Sequence, residues 1–378
     1  MPASSAPPAS SLPAKMKAVQ VKAFNTSYEI NPSAPVPTDI GPHDLLVKVA
    51  VASYCHTDSM VASGSFLSAL PITASHEGAG TVVAVGSAVL SFHTGDRVMC
   101  GLPLHPCAAC ANCVGPDERH RQYCTATHGH VGVHIDGCLA EYVRIDARFT
   151  TRLPPEISFR AAAPLACAGR TAWGGVARAA LTTGEWLVIV GAGGGLGHLA
   201  VQFAKARGLQ VVAVDARDGA LELARECGAD IVIDARQGKD GVLAEVRRVT
   251  GEGAHASLVL SDTEGATAMA AAATRMHGTL VQVAQPKDVQ LPFQELVFRD
   301  IRVRGSLLCS PDESRDMVKF IAERSNGDGG GIRVETVAFE GLDKIGELVQ
   351  FVHTGKLRGS RRRLSGKCSM QVRIHRGF

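Results

Sequence analysis

Cys107, Cys110 and Cys113 stand at successive C-x-x-C intervals in the run CAACANCVGPDERHRQYC, which ends in a fourth cysteine, Cys124. Four thiolates on one loop can close a tetrahedral zinc site, and with no coordination position left open such a metal is structural. Other metal-capable residues are scattered: Cys55 in YCHTD, His76 in SHEGAG and Cys167 in PLACAGRTAW. Scattered ligands suit a catalytic zinc, where three protein groups leave the fourth position for water or substrate. Spacing alone does not group these three. Read by itself, Cys55 could be a buried small hydrophobe, a reactive thiol or a ligand.

A glycine-rich run offers different chemistry. WLVIV leads into GAGGGLGHLAVQFAKARG, where Leu196, Leu199, Ala200 and Phe203 recur at helical spacing. The glycines therefore lie at a strand-to-helix turn, where the backbone can approach a diphosphate at the positive end of the helix. Gly191, Gly194 and Gly197 form a loose G-x-x-G-x-x-G, with Gly195 and Leu196 completing the turn. The next strand ends in Asp215, whose carboxylate can bind both adenosine ribose hydroxyls and repel a 2′-phosphate. These features predict a dinucleotide, NAD rather than NADP. Arg217, two residues on, could face a phosphate or simply be solvated.

The elements that must position these residues follow two textures. From Lys15 to about Arg160, short β-type runs such as KAVQV, LLVKVAVA, GTVVAVG and EYVRI alternate with Gly, Pro, Asp and Ser. From about Leu165 to Leu308, six strand-like runs alternate with helical segments, which predicts an α/β doubly wound parallel sheet. The boundaries expected are a leader over 1–16, a β-rich domain over 17–164, the dinucleotide-binding domain over 165–308, and a return to the first domain over 309–378. The chain has 378 residues, which suits two cores. Its formal net charge of +3 gives no global field for nucleic acid or a membrane surface, and no apolar run is long enough to span a bilayer. The opening MPASSAPPASSLPAKMKA lacks the apolar core of a secretory signal and reads as a disordered leader. Eleven cysteines without such a signal favour metal or catalytic thiols over disulfides, and a cytoplasmic setting.

CHTD, HEGAG, HTGD, the CAACANC loop, PLACAG and GAGGGLGHLAVQFAKA together, in this order, resemble the zinc-dependent medium-chain alcohol dehydrogenases, most closely the fungal, yeast-type branch. The resemblance runs from about Lys17 to Leu357. It implies a Rossmann domain beside a β-rich GroES-like catalytic domain, with two zinc ions per chain and NAD. It implies Cys55, His76 and Cys167 as catalytic-zinc ligands, and Cys107, Cys110, Cys113 and Cys124 as structural ones. Asp58 and Glu77 match carboxylates behind the metal, Thr57 the hydroxyl that takes the alcohol proton, and His56 a basic position near the coenzyme diphosphate. The implied reaction is hydride transfer between an alcohol and NAD, giving the aldehyde or the reverse. The implied assembly is a homo-oligomer, a tetramer or a dimer.

Departures from the family pattern matter as much. Met60 stands where the yeast-type pattern has a proton-relay histidine. Phe66 and Leu102 stand where that pattern has two tryptophans, which predicts a wider pocket and a primary alcohol bulkier than ethanol. In the tail GSRRRLSGKCSMQVRIHRGF, Ser360 replaces a diphosphate-binding arginine, with Arg361 adjacent, and the tail reads as solvated. Two other readings compete: a zinc-free enone or quinone reductase of the same superfamily, and a non-catalytic dinucleotide-binding protein. The ligand triad argues against both.

Overall fold

The structure is a computed structural model and describes residues 12–325, 331–354 and 369–373. Six strands form a fully parallel sheet in the order Ile231–Asp234, Gln210–Asp215, Trp186–Val190, Ala254–Val259, Thr274–Gln282 and Arg302–Gly305. The uninterrupted apolar run WLVIV follows from this layout. Leu187 and Ile189 point into one buried cluster and Val188 and Val190 into another, so both faces of the strand are covered. The strand order reverses between Trp186–Val190 and Ala254–Val259, and the glycine-rich turn lies at the carboxyl end of that pair.

The second sheet is mostly antiparallel and is built on the long strand Asp44–Tyr54, which pairs with Glu77–Val85 so that Ser53 faces Glu77. Helix Phe159–Pro164 crosses to that sheet, packing on both strands. It then passes through a π-helical turn, Leu165–Gly169, into helix Arg170–Arg178. Helix Pro311–Ser325 returns to pack on Arg170–Arg178, where Arg178 and Glu313 pair at 2.5 Å.

Both ends of the chain differ from expectation. The first strand is Lys15–Val21, two residues inside the expected leader, because Met16 is buried in a cluster with Ala34, Val36 and Leu46. Residues 1–11 lie outside the described residues. The tail is not simply a solvated extension: Ser369–Arg373 forms a strand between Asp44–Tyr54 and Thr336–Glu340, so its backbone groups are paired on both sides. Ser360, Arg361 and Cys368 lie outside the described residues. No described helix is long and apolar enough to cross a membrane.

Candidate active site

Cys55 ends the strand Asp44–Tyr54 and serves as N-cap of the short helix His56–Ala62, its backbone N–H donating to Asp58 Oδ2 at 2.7 Å. Because Ser53 is in register with Glu77, the residues just beyond that pair, Cys55 and His76, meet at the same end of the sheet. The π-helical turn delivers Cys167 to them; such bulges place one side chain off the regular helical path and often occur at functional sites. One ligand atom from each of Cys55, His76, Glu77 and Cys167 lies within 4.8 Å of the others. His76 Nδ1 lies 3.2 Å from Asp58 Oδ1, with both side chains buried. That leaves Nε2, which is buried and has no hydrogen-bond partner, as does Oε1 of Glu77. The other oxygen of Glu77 accepts from Ser53 Oγ at 2.5 Å.

The electrostatics match a site that holds thiolate. Cys55 sits well below the usual thiol range, chiefly because the Cys167 thiol donates to it, and then because of His76. Cys167 correspondingly sits well above that range. Burial disfavours the His76 cation, but Asp58 and Cys55 outweigh it and push the imidazole well upward. Burial is the largest influence on Glu77 and pushes its carboxyl well above the usual carboxylate range. An orphaned imidazole nitrogen facing two sulfurs is the donor set of a tetrahedral zinc with one position left open, so the residues fit that metal.

Cys107, Cys110, Cys113 and Cys124 form a second cluster, each sulfur within 4.8 Å of the others. The chain wraps its own backbone around them: Cys107 N–H donates to Cys124 Sγ at 3.3 Å and Cys110 N–H to Cys107 Sγ at 3.2 Å. Four sulfurs fit a closed zinc site. A third grouping, Asp44, His105 and Asp146, is satisfied within the protein. Asp44 accepts from His105 at 2.6 Å and from Gly41 N–H at 2.8 Å, while Asp146 holds Arg148 through both oxygens.

At the glycine-rich turn, Gly191 has φ +86, a conformation that favours glycine. A Cβ on Gly197 would lie 2.2 Å from the Gly191 carbonyl oxygen, so the helix starts against the turn itself. Gly194, Gly195 and Leu196 remain half-exposed at the N-terminal end of helix Gly197–Ala206, a cradle of the kind that can accept a diphosphate. Asp215 accepts from Gly193 N–H at 3.1 Å, and Arg217 reaches back to the same carboxylate at 3.1 and 3.2 Å. Arg217 is therefore paired with Asp215 rather than simply solvated.

Two family models match the chain: an alcohol dehydrogenase GroES-like domain over residues 41–155 and a zinc-binding dehydrogenase domain over residues 195–323. An alcohol dehydrogenase of Rhizobium meliloti is 34% identical, over 91% of this chain and 97% of its own length. Alcohol dehydrogenase 1 of the fungus Emericella nidulans is 34% identical, over 84% of this chain and 89% of its own length. The crystal structure of the alcohol dehydrogenase from the archaeon Aeropyrum pernix superimposes with a TM-score of 0.81 at 27% identity, covering 94% of this chain and 99% of that one. This chain belongs to the zinc-binding alcohol dehydrogenase family. Bacterial and fungal members match it at the same identity, so the fungal branch is not singled out.

As a zinc-type, nicotinamide-dependent alcohol oxidoreductase, the protein carries its other expected residues as follows. Thr57 Oγ1 lies 4.0 Å from Cys55 Sγ, in the first turn of the helix, and His56 beside it is exposed. Met60 is half-buried on the same helix. Phe66 packs against Val21, Val61, Ile72 and Val133 in a small cluster under that helix. Leu102 is buried, and its carbonyl accepts from Val131 N–H at 2.9 Å.

The structure adds residues that sequence reading passed over. Ser53 anchors Glu77, and Tyr28 donates to the Asp58 carbonyl at 2.9 Å, bracing the helix that carries the site. Gly193 matters because a Cβ there would lie 2.0 Å from the Ala220 carbonyl oxygen; as one glycine among five in the turn it gave no separate signal. His198 is buried and ties Gly194 O, at 3.0 Å, to Glu335 N–H, at 3.3 Å. Only its place in the helix next to Gly197 could have suggested such a role.

Proposed function

We propose that the protein is an NAD-linked alcohol dehydrogenase that interconverts a primary alcohol bulkier than ethanol with its aldehyde. The observation that carries this is the buried Nε2 of His76, without a partner and facing the sulfurs of Cys55 and Cys167. Cys55, His76 and Cys167 would hold the catalytic zinc, and Cys107, Cys110, Cys113 and Cys124 a second, structural one. Bound there, zinc supplies the Lewis acidity that favours the ionised form of the alcohol.

The chain's own residues do the rest. Asp58 fixes the ring of His76 and its tautomer, with Nδ1 engaged and Nε2 left to the metal. Glu77, held by Ser53, keeps its second oxygen free at the site. Thr57 takes the alcohol proton at Oγ1. Met60 cannot accept that proton, so the ribose hydroxyls of bound coenzyme would supply the onward path to water that an imidazole at position 60 would otherwise provide. Gly191, Gly194, Gly195, Leu196 and Gly197 cradle the diphosphate, with His56 facing it, and Asp215 binds the ribose diol. Phe66 and Leu102 line the substrate side, and each methylene of fit is worth about 1–3 kcal/mol in discrimination.

A homo-oligomer, tetramer or dimer, is supported by the sheet edge. The edge strand Arg302–Gly305 is exposed, and Met276, Phe293, Val297 and Phe298 add large exposed apolar side chains in the segments around it. Such an edge is covered in most proteins. Among the described residues ten cysteines are free of disulfides, which supports a cytoplasmic setting.

The test is NADH oxidation at 340 nm with acetaldehyde, benzaldehyde, cinnamaldehyde and longer branched aldehydes, with NADPH alongside. Faster turnover of the bulky aldehydes with NADH is expected. Acetaldehyde as the best substrate would overturn the wide pocket, and NADPH as the better coenzyme would overturn the role of Asp215.

A further inference from the structure

Ser75 immediately precedes His76, and its backbone has φ +70, in the left-handed region that favours glycine. Among the described residues other than glycine with positive φ, it is the most deeply buried, at 0% exposed. A side chain in that conformation carries a steric cost, and it persists only where neighbouring structure holds it. Here the hold is visible on both sides of the residue. Its hydroxyl donates to the Ser53 carbonyl at 2.7 Å, in preference to the Glu77 carbonyl at 3.3 Å, and accepts from Glu77 N–H at 3.1 Å. Its own carbonyl accepts from Cys138 N–H at 2.7 Å.

Backbone closes in on that carbonyl as well. A Cβ on Gly132 would lie 2.2 Å from Ser75 O and 2.6 Å from His76 N, and one on Gly137 would lie 2.1 Å from Ser75 O. These two glycines thus let main chain press directly on the peptide that joins Ser75 to His76. On the hydroxyl side, a chain of two hydrogen bonds runs from Glu77 N–H through Ser75 Oγ to Ser53 O. It brackets His76 and ends on the strand Asp44–Tyr54, two residues short of Cys55.

We propose that Ser75 is a positioning residue for the catalytic metal: its left-handed turn and its hydroxyl lock His76 to the strand leading to Cys55, which fixes where Nε2 meets the sulfurs. This rests on the assignment of Cys55, His76 and Cys167 as the catalytic-zinc ligands. Asp58 orients the ring of His76, whereas Ser75 sets the backbone from which that ring projects. Glycine adopts the same φ without the steric cost, so the turn alone does not call for serine. The hydroxyl does. Without it, the Glu77 N–H and the Ser53 carbonyl lose the group that bridges them in a buried place.

The experiment compares full-length wild type with Ser75→Gly and Ser75→Ala, which lose the same hydroxyl but differ in strain. Each is checked for folding by circular dichroism and by its melting temperature. Zinc retained per chain is measured against a zinc-buffering chelator, and Cys55→Ser protein identifies the zinc held at the four-cysteine site. The visible absorption of protein carrying cobalt in place of the catalytic zinc reports the ligand geometry. Ser75→Gly should melt above Ser75→Ala, because it relieves the left-handed strain. Both should nevertheless bind zinc at the catalytic site about 10–100-fold more weakly than wild type, the scale seen when a group behind a metal ligand is removed. Both should also shift the cobalt bands, with the four-cysteine zinc unchanged. Wild-type zinc affinity and cobalt bands in Ser75→Gly would overturn the inference, since the turn would then suffice without the hydroxyl. Zinc affinity that follows melting temperature across the two variants would overturn it too, because stability rather than position would be the cause. Cys55→Ser protein holding as much zinc as wild type would instead overturn the ligand assignment itself, and this inference with it.

Discussion

The Oδ1 oxygen of Asp58 lies 3.2 Å from Nδ1 of His76, and both residues are almost fully buried. The same carboxylate accepts from the backbone of Cys55 through its other oxygen. One side chain thus fixes two of the three proposed ligands. Asp58→Asn keeps an acceptor but removes the charge, so catalytic-site zinc affinity should fall about 10–100-fold while the four-cysteine site is untouched. Zinc analysis after dialysis against chelator checks this, and an unchanged content would refute the orienting role.

Met60 shares the helix of Thr57 and cannot transfer a proton. Met60→His should speed alcohol oxidation near neutral pH, with the largest gain where an imidazole is partly neutral, about pH 6–7. Rates of NAD reduction from pH 5.5 to 9 provide the check. A profile identical in shape to wild type would mean the proton leaves by a route that bypasses this position.

Asp215 is bridged by Arg217 through both carboxylate oxygens. Asp215→Ala should remove the repulsion of a 2′-phosphate and leave Arg217 free to bind it. The ratio of NADPH to NADH activity should then rise by about tenfold or more. Arg217→Ala should move the same ratio the other way. Steady-state kinetics with both coenzymes decide the matter, and a fixed ratio in the first variant would exclude Asp215 as the discriminator.

His198 is held neutral at about 4 by burial, although the carbonyls it faces favour its cation. Nε2 accepts from Glu335 N–H, so the ring proton sits on Nδ1 and donates to Gly194 O. In the unfolded chain the ring takes up a proton near pH 6.5, while in the folded chain it stays neutral until about 4. Its contribution to stability is therefore complete above pH 6.5 and lost as pH falls toward 4, by up to about 3 kcal/mol. Denaturant unfolding of wild type and His198→Asn across this range should show the wild type losing stability more steeply. Parallel curves would contradict the neutral, buried assignment.

How much of this was legible beforehand depended on how locally each feature is encoded. The parallel sheet could be read because strands buried on both faces appear as unbroken apolar runs, as in WLVIV. The four-cysteine cluster could be read because its ligands lie within eighteen residues, Cys107 to Cys124, so chain geometry alone brings them close. The glycine-rich turn was legible as a turn, but the need for glycine at Gly193 came from a neighbouring helix. The strand Ser369–Arg373 was missed because its basic, polar surroundings hide the backbone pairing that places it in the sheet.

The sequence by itself determined the residue types able to ligate metal, cradle a diphosphate and bind a ribose, together with the alternation that builds the sheet beneath them. Tertiary structure alone decided which of them meet. Cys55 and His76 come together through the register of two strands, and Cys167 joins them through one π-helical turn. It also decided that Arg170 is buried with neutral acceptors on Ser314, Phe149 and Thr151, and that Arg217 leans on Asp215. The physical reason is the same in each case. Charge, coordination and hydrogen bonding act over a few ångströms of space, and only folding brings residues distant in the chain within that range.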